Sequence, residues 1–286
     1  MIKRIIAKLD VKSSNVVKGV NLEGLRVLGK TWDFADYYYK NDIDELIYQD
    51  VVASLYGQNS LYDLIEKTAK NIFIPLTVGG GISSNEEIYK ILRSGADKVS
   101  INSAAIKNPK LIYEASKKFG SSTIVSSIEL KNIEGHYFCF YENGRSNSGM
   151  RAEEWIYKLI KLGTGEIILT FIDSEGTGKG IDCKFLKKID KISEIPFIIN
   201  GGFGNEKHVK DVLSFKNING AAISSLFHYD LVKKIKLKSR KIVKNEEGNL
   251  DFLNNYYKSS DNIKSQNIKS LKKFLFKNKI QVRLTV

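Results

Sequence analysis

Short apolar runs of four to eight residues alternate with amphipathic stretches along most of this chain. The runs predict strands near residues 4–10, 45–50, 74–78, 97–102, 123–129, 166–171, 196–200 and 220–225. They are near-continuously apolar, as expected of parallel strands covered by helices. Between them, apolar residues recur at helical spacing near 32–40, 59–71, 84–94, 109–118, 151–162, 183–191, 205–215 and 264–277. Ser84 and Asn108-Pro109 are natural helix starts. Strict strand–helix alternation predicts either a closed barrel or a doubly wound sheet.

The pattern is stated twice, which decides between them. Glu45-Leu-Ile-Tyr-Gln-Asp50, Ile74-Pro75-Leu-Thr-Val-Gly-Gly80-Gly81 and Ala96-Asp97-Lys98-Val-Ser-Ile-Asn102-Ser103 are echoed by Glu166-Ile-Ile-Leu-Thr170, Ile195-Pro196-Phe-Ile-Ile-Asn-Gly201-Gly202 and Gly220-Ala-Ala-Ile-Ser224-Ser225. The offset is 121 residues from Glu45 to Glu166, from Pro75 to Pro196 and from Gly80 to Gly201, and 122 from Asn102 to Ser224. Asp10 and Glu129 extend the repeat at an offset of 119. A repeat this long is half a domain, so the chain is expected to be an eightfold β/α barrel of two duplicated halves. The 286 residues fit one such barrel spanning 1–286. Two segments break the rhythm: a hairpin expected at 131–149, marked by Asn143-Gly144, and a polar, basic insertion expected at 230–263. Both follow strands and so fall on the catalytic face.

Composition narrows the function classes. No apolar run reaches the roughly 20 residues of a membrane helix, and the first residues lead into a strand rather than a leader, so a cytoplasmic protein is expected. Two distant cysteines and three histidines argue against a disulfide or a zinc site, and no metal or cofactor is expected. The net charge of +13 allows a polyanionic partner. Much of it lies in Lys233, Lys234, Lys236, Lys238, Arg240, Lys241 and Lys244. Without interleaved aromatic residues this cluster does not point to nucleic acid.

The duplicated positions carry the chemistry. Gly80-Gly81 and Gly201-Gly202 follow strands directly and let backbone N–H groups approach an anion. Ser103 and Ser225 add hydroxyls. Two phosphate sites on opposite sides of one mouth suit a substrate with a phosphate at each end. Asp10 and Glu129 end opposed strands between those sites, as a general acid and base would. Lys18, expected in the loop after the first strand, is placed to hold a phosphate or stabilise negative charge. Arg4, Glu45, Lys98 and Glu166 begin their strands, on the order of 13–20 Å below the active face at roughly 3.3 Å per residue. There they can form a charge-balanced ring.

These residues resemble the cyclase subunit of imidazole glycerol phosphate synthase. The resemblance covers about 1–229 and 264–286, and its motifs are Lys3-Arg4-Ile-Ile-Ala-x-Leu-Asp10-Val-Lys12, Val16-Val-Lys18-Gly19, Gly79-Gly80-Gly81-Ile82, Gly95-Ala-Asp97-Lys98-Val-Ser-Ile-Asn102-Ser103-Ala-Ala105 and Asp173-x-x-Gly176-Thr177. It implies a barrel that joins ammonia to a bis-phosphorylated ribulosyl formimino-carboxamide nucleotide, giving imidazole glycerol phosphate and aminoimidazole carboxamide ribotide. A carbon–nitrogen lyase of histidine biosynthesis is implied. A glutaminase subunit docks on the barrel bottom, and ammonia crosses the barrel. By the match, Asp10 and Glu129 are catalytic. Substrate and phosphate contacts fall on Lys18, Asp50, Gly80, Gly81, Asn102, Ser103, Thr170, Glu175, Gly176, Thr177, Gly201, Gly202, Ser224 and Ser225. The ammonia entrance is Arg4, Glu45, Lys98 and Glu166, and Asp97 is a docking contact.

Three positions depart from the family. Glu129 and Glu175 stand where it usually has Asp, and Lys8 where it usually has a small residue. An altered substrate end above an intact entrance leaves a second reading open: a cyclase-like accessory subunit that delivers ammonia to a sugar amidotransferase in surface-sugar biosynthesis.

Overall fold

Among the described residues, twelve strands run in chain order: β1 (Arg4–Lys12), β2 (Asn15–Val20), β3 (Glu23–Lys30), β4 (Glu45–Asp50), β5 (Leu76–Gly79), β6 (Lys98–Ile101), β7 (Ile124–Ile133), β8 (His136–Tyr141), β9 (Ser146–Arg151), β10 (Glu166–Phe171), β11 (Phe197–Asn200) and β12 (Ile218–Ile223). The computed structural model describes residues 2–53, 61–192, 195–238 and 262–284. Eight strands pair in parallel in the order β1, β4, β5, β6, β7, β10, β11, β12, and β12 returns to β1. This is the (β/α)8 barrel expected from the repeat. Asp10 on β1 and Glu129 on β7 sit on strands four places apart, on opposite walls.

Helices cover the outside and bury the outward residues of the strands. Trp155 on Ala152–Leu162 and Phe185 on Cys183–Ile189 belong to that large apolar layer. Local chemistry sets the helix ends. The Ser84 hydroxyl accepts from the Glu87 N–H, while the Glu87 carboxylate accepts from the Ser83 N–H at 2.6 Å, a reciprocal cap. Asp182, Asn205 and Asn267 cap three further helices with their side chains. Gly163 ends Ala152–Leu162 in the left-handed conformation.

Inside, a second and smaller apolar layer fills the lumen: Ile6, Ile47, Val125, Ile168, Ile198 and Ala222. Strand alternation fixes what lies above and below it. On β1 the inward series is Arg4, Ile6, Lys8, Asp10. Charges therefore stand both under and over the apolar layer.

The segments outside the barrel rhythm differ from expectation in detail. Lys18 is not in a loop: β2 and β3 form an antiparallel hairpin after β1, in register from Asn15 opposite Lys30. The run Asn15-Val16-Val17 pairs with β1 and buries both valines, Val16 within the large apolar layer; alternation over so few residues did not separate it from a loop. After β7, β8 and β9 continue the sheet antiparallel. Their connection takes four residues, Glu142–Arg145, with Glu142, Asn143 and Gly144 at positive φ, rather than a two-residue turn. The stretch from 230 begins inside a helix, Ser225–Lys238, that follows β12. Residues 239–261 of the expected insertion lie outside the described residues. Among the described residues, no helix is long and apolar enough to cross a membrane.

Trp155 is the largest fully buried side chain. Trp155→Ala should cost about 3–5 kcal/mol, the range for large aromatic deletions in cores. Urea unfolding should show a lower midpoint with an unchanged slope.

Candidate active site

The strands deliver four charges to the bottom of the lumen, and the structure joins them in a closed ring. Arg4 pairs with Glu45 at 2.8 Å and with Glu166; Lys98 pairs with Glu166 at 2.9 Å and with Glu45 at 3.4 Å. The Thr77 hydroxyl donates to Glu45 at 3.1 Å. The two glutamates are buried, whereas the cations keep 26% and 21% of their side chains exposed. The cations thus form the accessible side of a shallow hollow with Ile2, Ser122, Gly165, Pro196 and Asn219. Asp97 stands exposed beside it, one oxygen accepting from the Leu76 N–H at 2.8 Å.

At the other end, the first-half site is an open cavity of about 260 Å³. It is lined by Asp50, Gly80, Gly81, Asn102, Ser103 and Glu129, and also by Gln49, Ser127 and Asn143. Gly80 has φ 105°, and a Cβ there would stand 2.2 Å from the Asp50 carbonyl oxygen, so only glycine fits. Asp50 is committed to its own turn: one oxygen accepts from the N–H groups of Val52 and Ala53, and burial raises its pKa. Ser103 accepts from the Glu142 N–H at 3.0 Å, which ties the β8–β9 turn to this rim.

The second-half site brings together Glu175, Gly176, Gly201, Gly202, Ser224 and Ser225 with Asn200, but encloses only about 10 Å³. Gly202, at φ 75°, is hemmed in by the Gly180 carbonyl. Thr170 lies within the lumen under this site and accepts from the Asn200 amide at 3.1 Å. Thr177 is turned to its own loop, donating to the Ser174 carbonyl at 2.7 Å. The β2–β3 hairpin is tied to one edge of the site, at Glu175 and Gly176. Lys18 is buried and paired with Glu175, and the Asn21 N–H donates to the Glu175 carbonyl at 2.8 Å. Lys18 is therefore held by a carboxylate here rather than left as a free cation for an anion.

The two carboxyls across the mouth sit in opposed environments. Burial would raise the Asp10 pKa, but the Lys8 and Lys18 cations outweigh it and bring it below the usual value. Burial pushes Glu129 up to about 7, only partly offset by the Gly144 N–H, which donates to it at 2.7 Å. One group is an anion at neutral pH and the other is poised to give or take a proton, a division suited to paired acid and base. Lys8 is the residue whose role residue-by-residue reading missed. It is buried, points into the lumen, and pairs with Asp10. The i, i+2 series from Arg4 to Asp10 carried that signal. The described residues hold no cluster of His, Cys, Asp and Glu able to bind a metal ion.

The Glu129 environment has a measurable consequence for stability. Its folded pKa, about 7, lies above the ordinary 4.5. The unfolded chain therefore releases this proton first, and wild-type stability falls as pH rises through that window. Glu129→Gln removes the dependence. Denaturant titrations should show the variant gaining relative to wild type from pH 4.5 to about 7 and levelling above it.

Comparison with known proteins fits this geometry. A family model described as "Histidine biosynthesis protein" matches residues 4–233. The imidazole glycerol phosphate synthase subunit HisF of Legionella pneumophila is 50% identical over 202 residues, covering 70% of this chain and 95% of that protein. The protein of the same name from Bacillus cereus strain G9842 is 44% identical over 241 residues, covering 83% and 96%. That from strain Q1 is 43% identical over 228 residues, covering 79% and 90%. With a barrel whose two halves each present a glycine-lined site, and relatives matched over nearly their whole length, this chain belongs to the histidine biosynthesis protein family, among its imidazole glycerol phosphate synthase HisF members.

Proposed function

We propose that the chain is the cyclase subunit of imidazole glycerol phosphate synthase, acting as a carbon–nitrogen lyase. It takes ammonia from a glutaminase subunit and converts the bis-phosphorylated ribulosyl formimino-carboxamide nucleotide to imidazole glycerol phosphate and aminoimidazole carboxamide ribotide. The observation that carries this reading is the pair of opposed carboxyls, Asp10 and Glu129, set between two glycine–serine sites. One phosphate belongs on Gly81, Asn102 and Ser103, the other on Gly202, Ser224 and Ser225. The second cleft is nearly filled, with the Gly180 carbonyl against Gly202, so it must widen to take a phosphate.

Ring closure needs a proton removed from the incoming nitrogen and a proton given to the departing one. Asp10, an anion at neutral pH, suits the first task. Glu129, with a pKa of about 7, suits the second. Glutaminase docking is assigned to the bottom face, around Asp97 and the ring of Arg4, Glu45, Lys98 and Glu166. A closed ring of ion pairs must part for ammonia to enter, and the more exposed cations are the ones to swing aside. The reading as an accessory subunit for a sugar amidotransferase gains no support from the relatives, which are named for the histidine enzyme.

Rescue of a histidine auxotroph lacking its cyclase tests the proposal most directly; growth is expected, and no growth from a well-expressed, folded protein would overturn it. With the purified protein and ammonium salts, Asp10→Asn should lower turnover by at least about 10²-fold, the lower range for loss of a general acid or base. Lys98→Ala should reduce glutamine-driven turnover far more than ammonium-driven turnover when the glutaminase is present. Equal losses in both, following a lower melting temperature, would make the ring purely structural.

A further inference from the structure

The inward face of β1 places a lysine where the lumen opens into the mouth. Lys8 stands one inward position above Ile6, a member of the apolar lumen layer, and one below Asp10. Its side chain is only 7% exposed, and its ammonium meets an Asp10 side chain only 4% exposed. The Ser224 hydroxyl donates to the Lys8 carbonyl at 2.8 Å, which fixes the backbone of this strand against β12. A buried lysine without an anion would be strongly disfavoured, so burial holds the two groups together. Lys8 forms its ion pair with Asp10; the Glu129 carboxyl accepts from the Gly144 N–H and the Asn102 side chain and feels the Lys8 charge without pairing to it.

We propose that Lys8 is a positioning residue of the cyclisation, its ammonium fixing the Asp10 carboxylate as an anion at the top of the lumen while leaving Glu129 outside the pair. This rests on the function proposed above. The groups facing Asp10 are Lys8 on its own strand, Lys18 on the β2–β3 hairpin, His228 on Ser225–Lys238 and Glu129 across the mouth. Lys18 is already bound to Glu175, so it compensates only in part for loss of Lys8. His228 is kept neutral by burial, its pKa falling to about 3, and supplies no charge. Lys8 is thus the cation on which the charge state of Asp10 chiefly depends; its charge also lowers the Glu129 pKa, but there burial wins, whereas at Asp10 the direct pair does.

The test replaces the ammonium by an apolar chain of similar length, Lys8→Met, with Lys8→Arg as the conservative variant. With ammonium salts and the bis-phosphorylated substrate, Lys8→Met should lose at least about tenfold in kcat at pH 7 with KM nearly unchanged, the pattern of an interaction made in the transition state. Removing the cation raises the Asp10 pKa, so the acid limb of the kcat profile should move to higher pH. Lys8→Arg should restore the wild-type limb. Carboxyl-carbon NMR on protein with labelled aspartate, assigned with Asp10→Asn, reads the same titration without substrate; its midpoint should rise in Lys8→Met. An unchanged kcat profile, or an Asp10 titration identical to wild type, would overturn the Lys8 assignment. A wild type inactive on the substrate would count against the proposed function instead, while the NMR titration still decides whether Lys8 governs Asp10. If Lys8→Met does not fold, Lys8→Gln carries the same comparison.

Discussion

Charges enclosed in a barrel must neutralise one another, and this constraint organises the molecule. A closed sheet turns half of every strand inward, away from water, where an unpaired charge is costly. Here the inward series meets the constraint twice. Below the apolar layer, two cations and two anions alternate around a ring in which every member has two partners of opposite sign. Above it, Lys8 answers Asp10 and Lys18 answers Glu175. The apolar layer of Ile6, Ile47, Val125, Ile168, Ile198 and Ala222 keeps the two charged levels apart. Such a partition suits the passage of a neutral small molecule and opposes that of an ion.

Duplication explains why the mouth has two sites, but not why they differ. The first-half cavity is open at about 260 Å³, whereas the second holds about 10 Å³. Two features crowd the second site: the Gly180 carbonyl against Gly202, and the excursion after β1 against Glu175 and Gly176. The β2–β3 hairpin leans over the second-half site and is held there by the buried Lys18–Glu175 pair and the Asn21 hydrogen bonds. The excursion after β7 behaves differently: its turn at Glu142–Arg145 is tied to Ser103 and Glu129 and roofs the first site while leaving it accessible. Insertions at equivalent points of the two halves therefore cover each other's partner site, and the symmetric scaffold receives an asymmetric lid.

The carboxyl pair shows how equivalent positions acquire different chemistry. Asp10 and Glu129 occupy matching positions near the mouth ends of β1 and β7, which run on to Lys12 and Ile133 as they enter their hairpins, yet one lies beside two cations while burial dominates the other despite the Gly144 N–H and the Asn102 side chain. Their proton affinities are consequently driven apart. The extra methylene of Glu129 lets its carboxyl reach the Gly144 N–H at the β8–β9 turn, so the longer side chain is integrated with the local excursion rather than simply displaced.

The barrel was legible in the chain alone, because a 121-residue repeat of apolar strands followed by glycines has few other ways to bury both faces. Strand direction also placed Arg4, Glu45, Lys98 and Glu166 at one end and Asp10 and Glu129 toward the other, although bounds shifted: β7 runs on to Ile133 rather than ending at 129, and β12 is Ile218–Ile223 rather than 220–225. The partners of these charges came only with the folded barrel. That Lys18 lies on a hairpin and is held by Glu175, 157 residues away, depends on a long-range closure that local alternation does not encode. That Lys8 turns from an unexplained departure into the counter-charge of Asp10 depends on a shared inward face and on the apolar layer beneath, which leaves its ammonium no water to meet. Composition and periodicity fix where a charge sits along a strand; only the closed barrel fixes which opposite charge can reach it.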